Sequence, residues 1–148
     1  MAADPAPVVS QAVPFFHVAD MARSLAFYVD GLGFQLRNKW EVDGAVRWCW
    51  LVHGETALML QQFPAEGHDG WKAEGKVGEG VSIFFLCDDA LVFYRYVKAR
   101  GIEAKRPFVG NGCWVVGLVD PDGYRLEFES RTDAPEHSEY REDEPQEA

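Results

Sequence analysis

The chain repeats itself. Sliding it by 68 residues lays Asp20 on Asp88, Leu25 on Phe93, Tyr28 on Tyr96, Val29 on Val97 and Gly33 on Gly101. Self-similarity at one offset marks a duplicated supersecondary unit, and 148 residues leave room for two copies and little else. The first copy opens with "QAVPFFHVAD", where Val13, Phe15 and His17 alternate with Pro14, Phe16 and Val18 as in a strand. Asp20 is placed to cap a helix. Met21, Leu25, Tyr28, Val29 and Leu32 follow at helical spacing, and Gly31 and Gly33 end the run. Then come "FQLRNKW", "AVRWCWLV" and "ETALMLQQ", with reversals at Asp43-Gly44 and His53-Gly54-Glu55.

The second copy has the same order. "GVSIFFLCDD" is a strand ending in acidic caps; Ala90, Phe93, Tyr96 and Val97 mark a helix that stops at Gly101. "IEAKRPF", "GCWVVGLVD" and "YRLEFES" supply three strands, the last entered through the Asp120-Pro121-Asp122-Gly123 turn. Between the copies, "FPAEGHDGWKAEGKVGEG" reads as a long surface loop, a kind of segment that is often functional in a compact domain. The expected layout is a flexible tail over 1–11, one domain over 12–130 and an acidic disordered tail over 131–148. Within the domain, module 1 spans about 12–62, the linking loop 63–79 and module 2 80–130.

Composition narrows the partners. A formal net charge of -10 disfavours nucleic acid and anionic membranes. About half of it sits in the C-terminal tail, where seven acids face two arginines. No apolar run approaches the ~20 residues of a membrane span. The N-terminus lacks a basic start and an apolar signal core, which predicts a cytoplasmic protein. Cys49, Cys87 and Cys113 lie in apolar segments without CxxC spacing and read as reduced thiols.

"VADMARSLAFYVDGLGFQL" and "DPDGYRLEFES" resemble the two signatures of the vicinal oxygen chelate superfamily, which includes glyoxalases, bleomycin-resistance proteins and extradiol dioxygenases. The resemblance covers about residues 12–130. It implies an α+β fold of two βαβββ modules in one chain, with mixed sheets curled around a cleft, commonly in a homodimer. Metal-dependent members take one donor from each of four strands, typically two histidines and two glutamates. Counted from the capping acids, those positions fall on Val13, Leu60, Ser82 and Glu127. Valine and leucine cannot donate to a metal, and a serine hydroxyl is a poor substitute for imidazole. The resemblance therefore implies a member without the usual metal, closest to the bleomycin-resistance type.

On that fold, strand alternation assigns Phe15, Leu60, Phe84, Arg125 and Glu127 to the cleft. Trp48 and Trp50 share a strand face and Trp114 is assigned beside them; the alternative for all three is core packing. Trp71 in the loop is a candidate lid. Glu127 is either a cleft carboxylate that pairs with a ligand or the wet side of a sheet. Two functions follow. One is a protein that binds a small aromatic or cationic molecule in an apolar cleft, with no cofactor and no catalysis. The alternative is a lyase, isomerase or dioxygenase of the same superfamily that uses one divalent metal at a displaced site, or Glu127 as acid or base. The acidic tail as a protein-interaction module is a third, lesser reading.

Overall fold

A computed structural model describes residues 3–64, 66–68 and 70–142. The first module runs β1 (Phe15–His17), α1 (Met21–Leu25), β2 (Gln35–Val42), β3 (Ala45–His53) and β4 (Thr56–Gln61). The second runs β5 (Ser82–Leu86), α2 (Ala90–Ala99), β6 (Phe108–Gly110), β7 (Cys113–Val119) and β8 (Arg125–Arg131). Each module closes its own mixed sheet, in the orders β1-β4-β3-β2 and β5-β8-β7-β6. In both, the first and last strands pair in parallel and the other neighbours antiparallel. This is the α+β pair of βαβββ units that the repeat implies. Strand β6 starts later than the segment "IEAKRPF" suggests, because Pro107 brings no amide to the ladder.

The two helices are not in the register that the 68-residue offset gives. The second cap is Asp89, not Asp88: its carboxylate accepts from the amides of Leu91 and Val92, each at 3.0 Å. Asp20 does the same for Arg23 at 3.1 Å. The caps thus align one residue later than Gly33 and Gly101, which both end the helices with positive φ. Module 1 absorbs the extra residue by continuing α1 as a π-helical stretch over Ala26–Gly31, closed by the Leu32 amide on the Phe27 carbonyl. In consequence Tyr28 corresponds to Val97, both fully buried, and Tyr96 is an exposed residue.

The helices cover one face of each sheet, and the buried side chains on that side make one core. Phe16, Cys49, Leu51, Leu58 and Leu60 come from the first sheet and Phe85, Trp114, Val116, Leu126 and Phe128 from the second. Where the modules meet, the turn between β7 and β8 acts as a plug. Tyr124 stacks on Phe16 with ring centroids 4.1 Å apart, and its hydroxyl donates to the His17 carbonyl at 2.8 Å. Asp122 accepts from the Ala19 amide at 2.9 Å and faces Arg23 at 3.5 Å.

Asp120 is the centre of this junction. It is buried, and one oxygen accepts the amides of Asp122, Gly123 and Tyr124, each at 2.9 Å. The other accepts the Tyr28 hydroxyl at 2.7 Å. Burial raises the Asp120 carboxyl above its usual range against the pull of these donors, and burial beside the carboxylate raises Tyr28 well above 10.0.

Residues 131–142 are not the disordered tail expected of them; residues 143–148 lie outside the described part. The segment folds back along β6. The Val109 amide donates to the Ser138 carbonyl, and the His137 and Tyr140 amides donate to the Val109 and Pro107 carbonyls, each at 2.9 Å. Tyr140 is buried against Tyr94, and the Glu136 carboxylate accepts the amides of Asn111 and Gly112. These donors lower the Glu136 pKa. The segment therefore covers the edge strand with its backbone, and Glu136 takes up two amides of the turn that follows it.

The junction makes a graded prediction. Asp120→Ala strands three amides and a hydroxyl, and is expected to cost about 3 kcal/mol of unfolding free energy, with Tyr28→Phe costing about 1 kcal/mol. Asp120→Asn keeps an acceptor for the amides and removes a buried charge, so it should cost least of the three. Denaturant unfolding measures the order; an Asp120→Ala protein as stable as the parent would refute the junction's role.

Candidate functional site

The face of the first sheet opposite the core carries two cross-strand rows. Paired positions place Phe15, Met59, Trp50 and Asn38 in one row, and His17, Gln61, Trp48 and Trp40 in the next. Trp48 and Trp50 are half-buried on this open face, while Cys49 and Leu51 between them point into the core. The pair therefore packs on the side where a ligand can reach it. Leu60 is not on this face. It is fully buried beside Phe16 and Cys49, because a shift of one residue along a strand turns a side chain to the other side.

One end of the open face is an aromatic cage around His17. Its ring lies 5.3 Å from Phe15, 4.6 Å from Phe63 and 4.8 Å from Trp71. Trp71 comes from the linking loop and reaches His17 because the loop folds back sharply: the Trp71 amide donates to the Pro64 carbonyl at 2.8 Å. Gly70 permits this approach, since a Cβ there would lie 2.8 Å from the Glu66 backbone. Beside the cage, the loop roofs a cavity of about 780 Å³ with Trp71 in its wall and Tyr124 opposite. Burial lowers the His17 pKa below 6.5, so the ring is neutral at pH 7. Its Nδ1 is buried with no hydrogen-bond partner among the described residues.

The second sheet arranges its own row. Phe84, Glu127 and Gly117 are paired across β5, β8 and β7, with Arg125 one row away beside Ser82 and Val119. Glu127 is half-buried, and its carboxylate shares the space over Gly117 with the Lys105 side chain, which lies nearer to the glycine. Phe84 is 56% exposed. Trp114 is absent from this row: it is buried on the core face with Val116 and Leu118, again by strand parity. The structure thus gathers Phe15, His17, Trp48 and Trp50 on one sheet and Phe84, Arg125 and Glu127 on the other. Sequence reasoning missed Phe63, Met59 and Gln61. The last two were legible, because Leu58 and Leu60 claim the core parity of β4 and leave the open face to Met59 and Gln61.

Residues 12–128 match the sequence profile of the Glyoxalase/Bleomycin resistance protein/Dioxygenase superfamily. The chain belongs to that superfamily. It is 29% identical over 120 residues to lactoylglutathione lyase of Haemophilus influenzae, a match spanning 75% of this chain and 84% of that one. It is 27% identical over 128 residues to the probable chloroplastic lactoylglutathione lyase of Arabidopsis thaliana, covering 82% of this chain but only 35% of the longer plant protein. Among solved structures, a bleomycin-binding protein in complex with bleomycin superposes with a TM-score of 0.62 at 25% identity, over 83% of this chain and 99% of that one.

Against the metal-dependent members of this superfamily the donor set does not fit. Phe15 pairs with Met59 as Phe84 pairs with Glu127, so the module 1 counterpart of Glu127 is Met59 rather than Leu60. The four positions become Val13, Met59, Ser82 and Glu127, with one charged donor among them. A thioether is a soft ligand and a poor partner for the harder divalent ions. Among the described residues no three His, Cys, Asp or Glu side chains gather where a metal would use them. Burial also pushes the Cys49 and Cys87 thiols up to about 11, which keeps both protonated.

His17 gives a pH test of the cage. Its C2 proton should titrate with a midpoint below 6.5. The unfolded chain then takes up the proton before the folded one as pH falls. Stability should therefore drop as pH is lowered from 6.5 through that midpoint. Urea unfolding followed between about pH 7 and pH 5 measures this, and His17→Gln should flatten it.

Proposed function

We propose that this protein binds a small aromatic or cationic molecule on the open face of its first sheet, without a metal, and does so as a cytoplasmic homodimer. The observation that carries the reading is the His17 cage. An imidazole nitrogen buried without a partner, among Phe15, Phe63 and Trp71, is a hydrogen-bonding group held ready in an aromatic setting. Indole and phenyl faces stack on planar groups and attract cations by about 0.5–2 kcal/mol per contact. The acidic balance of the chain favours a cation over an anion. The likeness to a bleomycin-binding protein points the same way. Support for a second copy comes from the apolar side chains left open, with Leu36 39%, Trp40 54% and Val119 49% exposed. Three free thiols suit a reducing compartment.

Tryptophan-fluorescence titration with a panel of planar aromatic cations tests the site. His17→Ala, Trp48→Ala and Trp50→Ala should each weaken the best binder about tenfold, while Val92→Ala on the exposed side of α2 leaves it unchanged. Equal effects from all four would sink the assignment. Sedimentation at micromolar concentration should show a dimer.

The lactoylglutathione lyase names of the relatives favour a second reading, an enzyme that uses a divalent metal or Glu127 as acid or base. Elemental analysis after exposure to Ni, Zn, Mn and Fe separates the two. Binding well below one equivalent is expected; one equivalent that disappears in Glu127→Gln would put the enzyme first.

A further inference from the structure

The two modules differ at the turn joining their last two strands. In module 2 five residues, Asp120 to Tyr124, separate β7 from β8. In module 1 only Gly54 and Glu55 separate β3 from β4. The long turn fills its side of the junction with Tyr124, Asp120 and Asp122, packed on β1 and α1 of the other module. The short turn occupies the corresponding place toward β5 and α2, and it has no residues to do the same.

What remains there is a cavity of about 720 Å³, bounded by His53–Thr56 on one side and Phe84–Asp88 on the other. Its wall is a run of rings. His53 lies 5.3 Å from Phe34, Phe34 6.0 Å from Phe85, Phe85 4.8 Å from Phe128 and Phe128 4.0 Å from Phe93. Phe84 and Leu86 form an exposed apolar rim. The charged side chains in the lining are both acids, Glu55 and Asp88, and both are exposed at the mouth. Neither lysine nor arginine lines it.

We infer that this junction cavity is a second binding site, for a small organic cation with a flat aromatic body. The volume is that of a ligand pocket. Phe34, Phe85 and Phe128 are buried and form the floor, while His53, Phe84 and Phe93 keep ring surface open for stacking and cation–π contact, and the two carboxylates select positive charge. None of Phe15, His17, Trp48, Trp50, Phe63 and Trp71 lines it, so it is separate from the cage.

The experiment is a two-dimensional NMR titration of the full chain with 1-methylquinolinium, with 2-naphthoate as a planar anion of similar size. Saturable shifts are expected at Thr56, Cys87, Asp88 and Phe93 with the cation and not with the anion. Glu55→Gln and Asp88→Asn, both at exposed positions, should each weaken those shifts about fivefold. Thr56→Trp, which fills the cavity, should abolish them. His17→Ala should leave them unchanged even where it removes binding at the cage, so the two sites fail separately. Shifts confined to the residues around His17, equal binding of the anion, or no saturation at millimolar cation would each overturn the proposal.

Discussion

The fold depends on a buried carboxylate. Asp120 ties three amides of its own turn and a tyrosine hydroxyl from the other module into one hydrogen-bonded group. A carboxylate taken out of water is costly unless its lone pairs are used, and here the donors come from both halves of the chain. The same turn brings Tyr124 onto Phe16 and its hydroxyl onto the His17 carbonyl. The junction is therefore also what sets the end of β1, and with it the position of His17 in the cage. Core, junction and site are linked through one five-residue turn.

Duplication explains the framework, and departures from it explain the places where chemistry is available. An extra residue in the first helix is taken up as a π-helical stretch, which keeps the caps and the terminal glycines in their roles. The linking loop has no counterpart after module 2 and carries Trp71 to His17. The chain after β8 has no counterpart in module 1 and covers the β6 edge. Strand β2, the matching edge of the first sheet, keeps an exposed face and relies on register shifts near Leu36 and Trp40 to disrupt its regularity.

The βαβββ order was legible because it rests on local periods of two and of 3.6, on caps and on turn residues, all within a few positions of each other. The errors are also physical. An offset that matched five residues hid the one-residue slip, because glycines and caps align at different offsets when a helix holds a π-turn. Leu60 and Trp114 were assigned to the wrong side by a parity error of one. The leucines of β4 and the apolar alternation Trp114, Val116, Leu118 already contain the correct answer. The C-terminal segment reads as disordered by composition, since its acids and prolines give no period. Its order comes from a buried Tyr140 and from Glu136 on two amides, contacts made far from their own sequence neighbours. Of the His17 cage, Phe15 on the cleft face and Trp71 as a candidate lid were legible, but not their meeting around His17 with Phe63, since the cage joins β1, the end of β4 and a loop.

The side chains at the four donor positions limit what the site can hold. A divalent ion needs several converging donors, and loss of one weakens the rest because the remaining charges then repel or stand unpaired. With Val13, Met59 and Ser82 at the other three positions, Glu127 is one charged donor where several are needed, and its half-buried carboxylate shares the space over Gly117 with the Lys105 side chain. A face with few converging donors favours ligands held by stacking and dispersion, with a few polar groups for orientation. On the first sheet, the face where we propose a ligand binds, Trp48, Trp50, Phe15 and Phe63 offer the first and His17 the second. Recognition of that kind tolerates varied ring systems and discriminates by charge.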